Sequence, residues 1–204
     1  MIRLSFEDGT VRIDADGGDD AVLDGLPDVE ADPRSGTGRA PAYRYAAIRD
    51  ALADRGGEVE DRVVADADLT LSTTYELREY QREALSAWRE AGERGVIELP
   101  TGAGKTVVAI GAMAALSVPT LVVVPTVDLL HQWRRELEAE FDAPIGQFGG
   151  GEQRSESITV STYDSAYLRA EAVGGEFGLA VFDEVHHLGG EGDRDVARLL
   201  AAPA

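Results

Sequence analysis

Val96-Ile97-Glu98-Leu99-Pro100-Thr101-Gly102-Ala103-Gly104-Lys105-Thr106 is the stretch on which the fold turns. Its first four residues form an apolar run that predicts a strand. A glycine-bearing loop follows, and the Ala, Val and Ile pattern over 105–116 predicts a helix. Each part answers a need of polyphosphate binding. Gly102 and Gly104 let the backbone turn tightly, so that N–H groups face phosphate oxygens with no bulky side chain in the way. The start of the helix adds its positive end. Lys105 supplies a point charge for the β- and γ-phosphates, and the Thr106 hydroxyl suits Mg2+. The general pattern has glycine where this chain has Leu99, so the match is Gly-x-Gly-Lys-Thr in a strand–loop–helix setting. Lys105 is the only lysine; the other 18 basic residues are arginine.

Working outward, three further apolar runs read as strands buried on both faces: 121–124, 158–160 and 179–182. Helical patterns separate them. Leu77, Tyr80, Gln81, Ala84, Leu85 and Trp88 share one face, and Asp128–Phe141 carries a stripe of Leu129, Leu130, Trp133, Leu137 and Phe141. The stripe reads as core, because Trp133 is in phase with four other apolar positions. Alternating strands and helices predict a doubly wound α/β layer structure with a parallel sheet. The run 179–182 ends in Asp183-Glu184-Val185-His186-His187. Ligands of open α/β sheets bind at the carboxyl ends of strands, which places Asp183 to hold Mg2+ beside Thr106 and Glu184 to orient or deprotonate a water. A transition-metal centre of His131, His186 and His187 with Asp183 is the weaker alternative, since no His-Glu-x-x-His occurs.

The first 70 residues differ in character. Ile2, Leu4 and Phe6, then Val11 and Ile13, alternate about Asp8-Gly9, a strong hairpin signal. Residues 16–41 are rich in Asp, Gly and Pro and read as loop, with a short strand near 26–30. A helix is expected over 42–55, ended by Gly56-Gly57, and a strand over 59–64. The chain thus divides into a small α+β appendage, 1–72, and an α/β domain, 73–204.

Composition sets the bounds. The 204 residues carry a net charge of −19, with 38 acidic and 19 basic side chains. The excess is shared between 1–75 (−9) and 76–204 (−10), so it is a whole-surface property and not an acidic tail. Such a surface repels itself unless salt screens it, which points to a salt-loving host. With no cysteine, disulfides and thiolate metal sites are excluded. No run approaches a membrane span and no leader-like stretch opens the chain, so a soluble cytoplasmic protein with no membrane partner is expected.

Five segments in order resemble the first RecA-like motor domain of superfamily 2 DExH helicases. Leu99–Thr106 is similar to motif I and Asp183-Glu184-Val185-His186 to motif II. The stretch 77–85 is similar to the Q-motif region, 124–133 to motif Ia, and Val160-Ser161-Thr162-Tyr163 to motif Ib. Asp-Glu-Val-His, Phe148-Gly149-Gly150-Gly151 and the N-terminal appendage resemble archaeal XPB-like DNA repair helicases, in which the appendage is a damage-recognition domain. The resemblance implies a RecA-like P-loop doubly wound sheet with a small N-terminal α+β domain, and ATP with Mg2+ as cofactors. Lys105, Asp183 and Glu184 would be catalytic. Arg78, Gln81, Thr101, Gly102, Ala103, Gly104, Lys105 and Thr106 would bind the nucleotide, with Gln81 at the adenine edge. Thr106 and Asp183 would hold the metal. Pro125, Thr126, Ser161 and Thr162 would lie along DNA, single-stranded or at a duplex junction, and His186 would couple DNA to the nucleotide site. Motif III and a second RecA-like domain are missing from the stretch given, which reads as a fragment with little activity alone. A partner nuclease belongs to the same picture. The alternatives are a non-enzymatic nucleotide-binding or docking module, and the translocase of a restriction-type or RNA-directed DExH enzyme. The motifs do not separate DNA from RNA.

Overall fold

The computed structural model describes residues 1–15, 20–32, 35–56, 58–64, 67–185 and 200–203. They fall into two compact units. The first comprises Met1–Asp66, Tyr163–Gly178 and the described residues of 184–203. The second comprises Ala67–Thr162 and Leu179–Asp183. Among the described residues no helix is long and apolar enough to cross a membrane.

The first unit begins with the expected hairpin. Strands β1 (Ile2–Glu7) and β2 (Thr10–Ala15) pair antiparallel with Glu7 opposite Thr10. Asp8 and Gly9 both have positive φ, 48° and 73°, as a two-residue turn matched to strand twist requires. The alternation puts Leu4, Val11 and Ile13 wholly inside. A short helix α1 (Asp20–Leu23), strand β3 (Glu30–Asp32), strand β4 (Thr37–Pro41), helix α2 (Tyr45–Arg55) and strand β5 (Val59–Arg62) follow, in the sheet order β3-β4-β2-β1-β5. Ile48 and Leu52 of α2 join the strand side chains in the core. Gly56 closes α2 in the left-handed conformation.

Three expectations fail in this unit. Residues 20–23, expected as loop, form α1. The strand expected near 26–30 lies at Glu30–Asp32, and residues 37–41, expected as loop, form β4 between β3 and β2. Gly38 weakens the strand signal, yet the fold needs it. A Cβ there would sit 2.6 Å from Val29 Cγ1 and 3.0 Å from Leu23 Cδ2.

The second unit runs through α3 (Glu79–Glu90), α4 (Lys105–Leu116), β6 (Thr120–Val124), α5 (Val127–Glu140), β7 (Ile145–Gly149), β8 (Glu152–Arg154) and β9 (Ile158–Thr162). After α6 (Tyr163–Val173) the chain returns to it as β10 (Leu179–Phe182). The sheet order is β10-β6-β9-β7-β8. All pairs are parallel except the β7–β8 hairpin at one edge. Every residue of β6 is buried, as both-face burial in a parallel sheet predicts. Its core collects Ile110 and Met113 of α4, Leu130, Trp133 and Leu137 of α5, and Val122, Val160 and Leu179 of the sheet.

The run 96–99 does not form the expected strand. It joins no ladder, and Val96 is 76% exposed. A strand exists only with a partner to receive its N–H and C=O groups, and none of the described strands pairs with this run. The hairpin β7–β8 carries no clear sequence signal, because two glycines and a glutamine interrupt the apolar pattern of Ile145–Gly149. Gly146 is required there: a Cβ would meet Thr159 Oγ1 at 2.5 Å and the Arg154 carbonyl at 2.6 Å.

Candidate functional site

The glycine loop heads α4 as the sequence predicts. Gly104 is the residue before the first helical turn, at φ 79° and ψ 47°, and Gly102 has φ 77°. Both lie in the left-handed region that other residues enter at a cost. Ala103 N–H donates to the Pro100 carbonyl at 3.1 Å, closing a turn.

Helix α3 braces this loop. Its first residues follow Arg78, whose backbone N–H donates to Gln81 Oε1 at 2.8 Å, one half of a capping box. The other end of the same amide reaches the loop: Gln81 Nε2 donates to the Ala103 carbonyl at 2.8 Å and to the Gly104 carbonyl at 3.4 Å. Tyr80 Oη donates to the Ala103 carbonyl as well, at 2.9 Å, and accepts from Arg78 Nη1 at 3.2 Å. Because the peptide is planar and trans, holding the Ala103 oxygen toward α3 turns the Gly104 N–H away from α3. Gln81 is buried and both ends of its amide are engaged by protein. It stands here as a buttress of the loop.

At the sheet, β6, β9 and β10 run parallel, so their carboxyl ends share one rim. Val124 pairs with Thr162, and Val123 with Phe182. Pro125 and Thr126, then Asp183, leave the ends of β6 and β10 on that rim. Asp183 is pinned twice. Its N–H donates to the Val123 carbonyl at 2.9 Å, and its Oδ2 accepts from Trp133 Nε1 at 2.8 Å. Glu184 follows with φ 53°, an unusual conformation for a side-chain-bearing residue and one that gathers at functional sites. Thr126 caps α5, its hydroxyl oxygen accepting from Leu129 N–H at 3.3 Å, and it is exposed. Ser161, by contrast, is wholly buried, and its hydroxyl donates to the Thr162 carbonyl at 2.9 Å. His186 and His187 lie outside the described residues. Among the described residues no group of three or more His, Cys, Asp or Glu is placed to hold a metal ion; the transition-metal alternative needs His186 and His187 and so lies outside them.

Three contacts escaped the sequence. They are the Trp133 indole on Asp183, the Tyr80 hydroxyl on the loop, and Glu140. The Glu140 carboxylate accepts from the Thr73 hydroxyl at 2.7 Å, the Thr74 hydroxyl at 3.0 Å and the Thr74 N–H. Burial pushes the Glu140 carboxyl up, but the hydrogen bonds from Thr73, Thr74 and the Tyr75 backbone outweigh it and hold it below the ordinary value. The Tyr80, Trp133 and Glu140 partners are 23, 50 and 66–67 residues away in sequence, beyond the reach of local pattern.

Residues 74–203 match the family model described as the type III restriction enzyme, res subunit. The chain belongs to that family. Residues 4–63 match a second model, the xeroderma pigmentosum group B helicase damage recognition domain. Together the two matches give the XPB-like arrangement of a damage-recognition domain followed by a helicase domain. A relative named DNA 3'-5' translocase XPB2, from Sulfurisphaera tokodaii, is 46% identical over 165 residues, covering 80% of this chain and 37% of that protein. One named for Rad25, from Haloarcula marismortui, is 38% identical over 151 residues, 70% of this chain and 24% of that protein. DNA 3'-5' helicase XPB of Mycobacterium tuberculosis is 38% identical over 126 residues, 56% of this chain and 23% of that protein. The chain therefore spans well under half the length of these relatives.

Proposed function

We propose that this chain is the ATP-binding portion of an XPB-like DNA translocase, with residues 73–204 as the first RecA-like motor domain and 1–72 as a damage-recognition appendage. The observation that carries the reading is the glycine loop. Two left-handed glycines lead into α4, in the same unit as an acid at the carboxyl end of β10. The split of the family matches at 63 and 74 supports the division into two domains.

Thr101 to Gly104 would wrap the phosphates with backbone N–H groups, and Lys105 would pair with the β- and γ-phosphates. Thr106 and Asp183 are hard oxygen donors, one hydroxyl and one carboxylate. That set fits Mg2+, which takes one or two protein oxygens beside phosphates and water. Bound there, the ion would neutralise charge developing on the transferred phosphoryl group. Glu184 would orient the attacking water or accept its proton. Pro125, Thr126 and Thr162 would contact the phosphates of a DNA strand along the rim, and a second RecA-like domain would close over the nucleotide. His186 keeps its proposed coupling role, and a nuclease its proposed place as partner. A salt-adapted cytoplasm fits the charge. Gln81 would act on the nucleotide through the loop it braces, and Arg78, hydrogen-bonded to Tyr80, keeps its proposed nucleotide-binding role.

The test is nucleotide binding by this 204-residue chain, by calorimetry with an ATP analogue and Mg2+, before and after Lys105→Ala. The expected result is at least a tenfold loss of affinity, about 1.4 kcal/mol. Equal affinity would remove the loop from the site. Analogue binding with no DNA-stimulated phosphate release from a longer chain carrying the second domain would favour a nucleotide-binding module over a motor.

A further inference from the structure

We infer that Trp133 is a positioning residue for the metal-holding carboxylate, tying the segment proposed to meet DNA to the segment proposed to meet Mg2+. This rests on the reading of Asp183 given above.

Trp133 looks like core and mostly is: it is 3% exposed and packs with Leu130, Leu137 and Phe141. One atom of it is not core. The indole Nε1, the only donor on that side chain, points at Asp183 Oδ2 from 2.8 Å. A buried indole N–H must find an acceptor, and here it finds the acid that ends β10. The bond is charge-assisted on the acceptor side and fixes one carboxylate oxygen. Because the donor is neutral, it orients the carboxylate without cancelling the charge that a divalent cation needs. An arginine in its place would compete with the metal.

The connection runs through one short piece of chain. β6 holds the Asp183 backbone through the Val123 carbonyl. Pro125 and Thr126 follow β6, Thr126 caps α5, and Trp133 lies on α5 seven residues after that cap. A strand of nucleic acid pressing on Pro125 and Thr126 would bear on α5. Any rotation of α5 would move the indole, and with it the carboxylate. Asp183 is thus held by backbone and side chain to the same β6–α5 segment.

The experiment measures Mn2+ binding to this chain in the presence of a non-hydrolysable ATP analogue, by electron paramagnetic resonance of the free ion. Trp133→Phe keeps an aromatic ring and removes the donor. The expected result is about tenfold weaker Mn2+ binding, with analogue affinity in EDTA unchanged. In an Asp183→Asn background the same substitution should change Mn2+ affinity less than twofold. Unchanged Mn2+ affinity in Trp133→Phe, or an equal loss in both backgrounds, would overturn the inference. If Asp183→Asn by itself leaves Mn2+ binding intact, the metal assignment fails and not merely the role of Trp133. Should Trp133→Phe misfold, Trp88→Phe leaves Trp133 as the sole indole. Its fluorescence should then be quenched by Mn2+ with the analogue, and not after Asp183→Asn. No quenching would count against the contact.

Discussion

Replacing Gly104 by alanine separates two demands that the loop makes at one position. The first is conformational: at φ 79° an alanine pays about 1–2 kcal/mol for the left-handed backbone. The second is steric. The new Cβ would lie 2.6 Å from Gln81 Nε2, closer than real contacts allow. Gln81 is buried and bonded at both ends of its amide, so moving it leaves a donor over the loop unsatisfied, at about 1–3 kcal/mol. Gly104→Ala should therefore cost about 2–5 kcal/mol in urea unfolding followed by tryptophan fluorescence. Gly102→Ala is the control. It has nearly the same φ, 77°, but nothing within 4 Å of its Cβ, so only the backbone cost of about 1–2 kcal/mol applies. In a Gln81→Ala background the steric part vanishes, and Gly104→Ala should fall to the cost of Gly102→Ala. Neighbours that share a contact are expected to couple in this way. The reasoning is refuted if Gly104→Ala is as mild as Gly102→Ala in the parent, or equally costly with and without Gln81.

Other outcomes follow from the charged groups. Glu140 and Glu60 both have carboxyls held below the ordinary 4.5, Glu60 by hydrogen bonds from Arg3 and Arg62, Glu140 by the Thr73–Tyr75 segment against the upward push of burial. A depressed folded-state pKa gives stability that is present above the unfolded value and lost as pH falls through the folded one. The urea midpoint should therefore drop as pH falls below about 4.5, and Glu140→Gln should flatten part of that drop; an unchanged profile would show that the clamp on Thr73 and Thr74 contributes nothing. With a net charge of −19, the melting temperature should rise as KCl approaches molar concentration, where the screening length falls to about 3 Å. A flat or falling curve would refute the salt-adapted reading.

The candidate site was legible where its signals were local. Asp8-Gly9 dictates a turn by its own dihedral preferences, and Gly104-Lys105-Thr106 marks a helix start whatever surrounds it. The Trp133 stripe is legible as core, and Leu130, Trp133, Leu137 and Phe141 are buried with Leu129 partly so, because phase on a helix is a local property. Its polar atom was not legible, since its partner is 50 residues away. Gln81 shows the same limit from the other side: spacing places it on α3, but only the loop's approach decides that its amide binds Ala103 rather than lying open.

What the sequence determined by itself, then, is the four helices α2, α3, α4 and α5, the hairpin turn and the chemistry of the loop, because each depends on neighbours within a few residues; α1 and α6 were not among them. What the tertiary structure decided is pairing. Val96–Leu99 has the composition of a strand and no ladder, whereas Ile145–Gly149 and Thr37–Pro41 have glycines and full ladders. A strand's hydrogen bonds are made to another strand, so whether an apolar run becomes one is settled by what lies beside it in space.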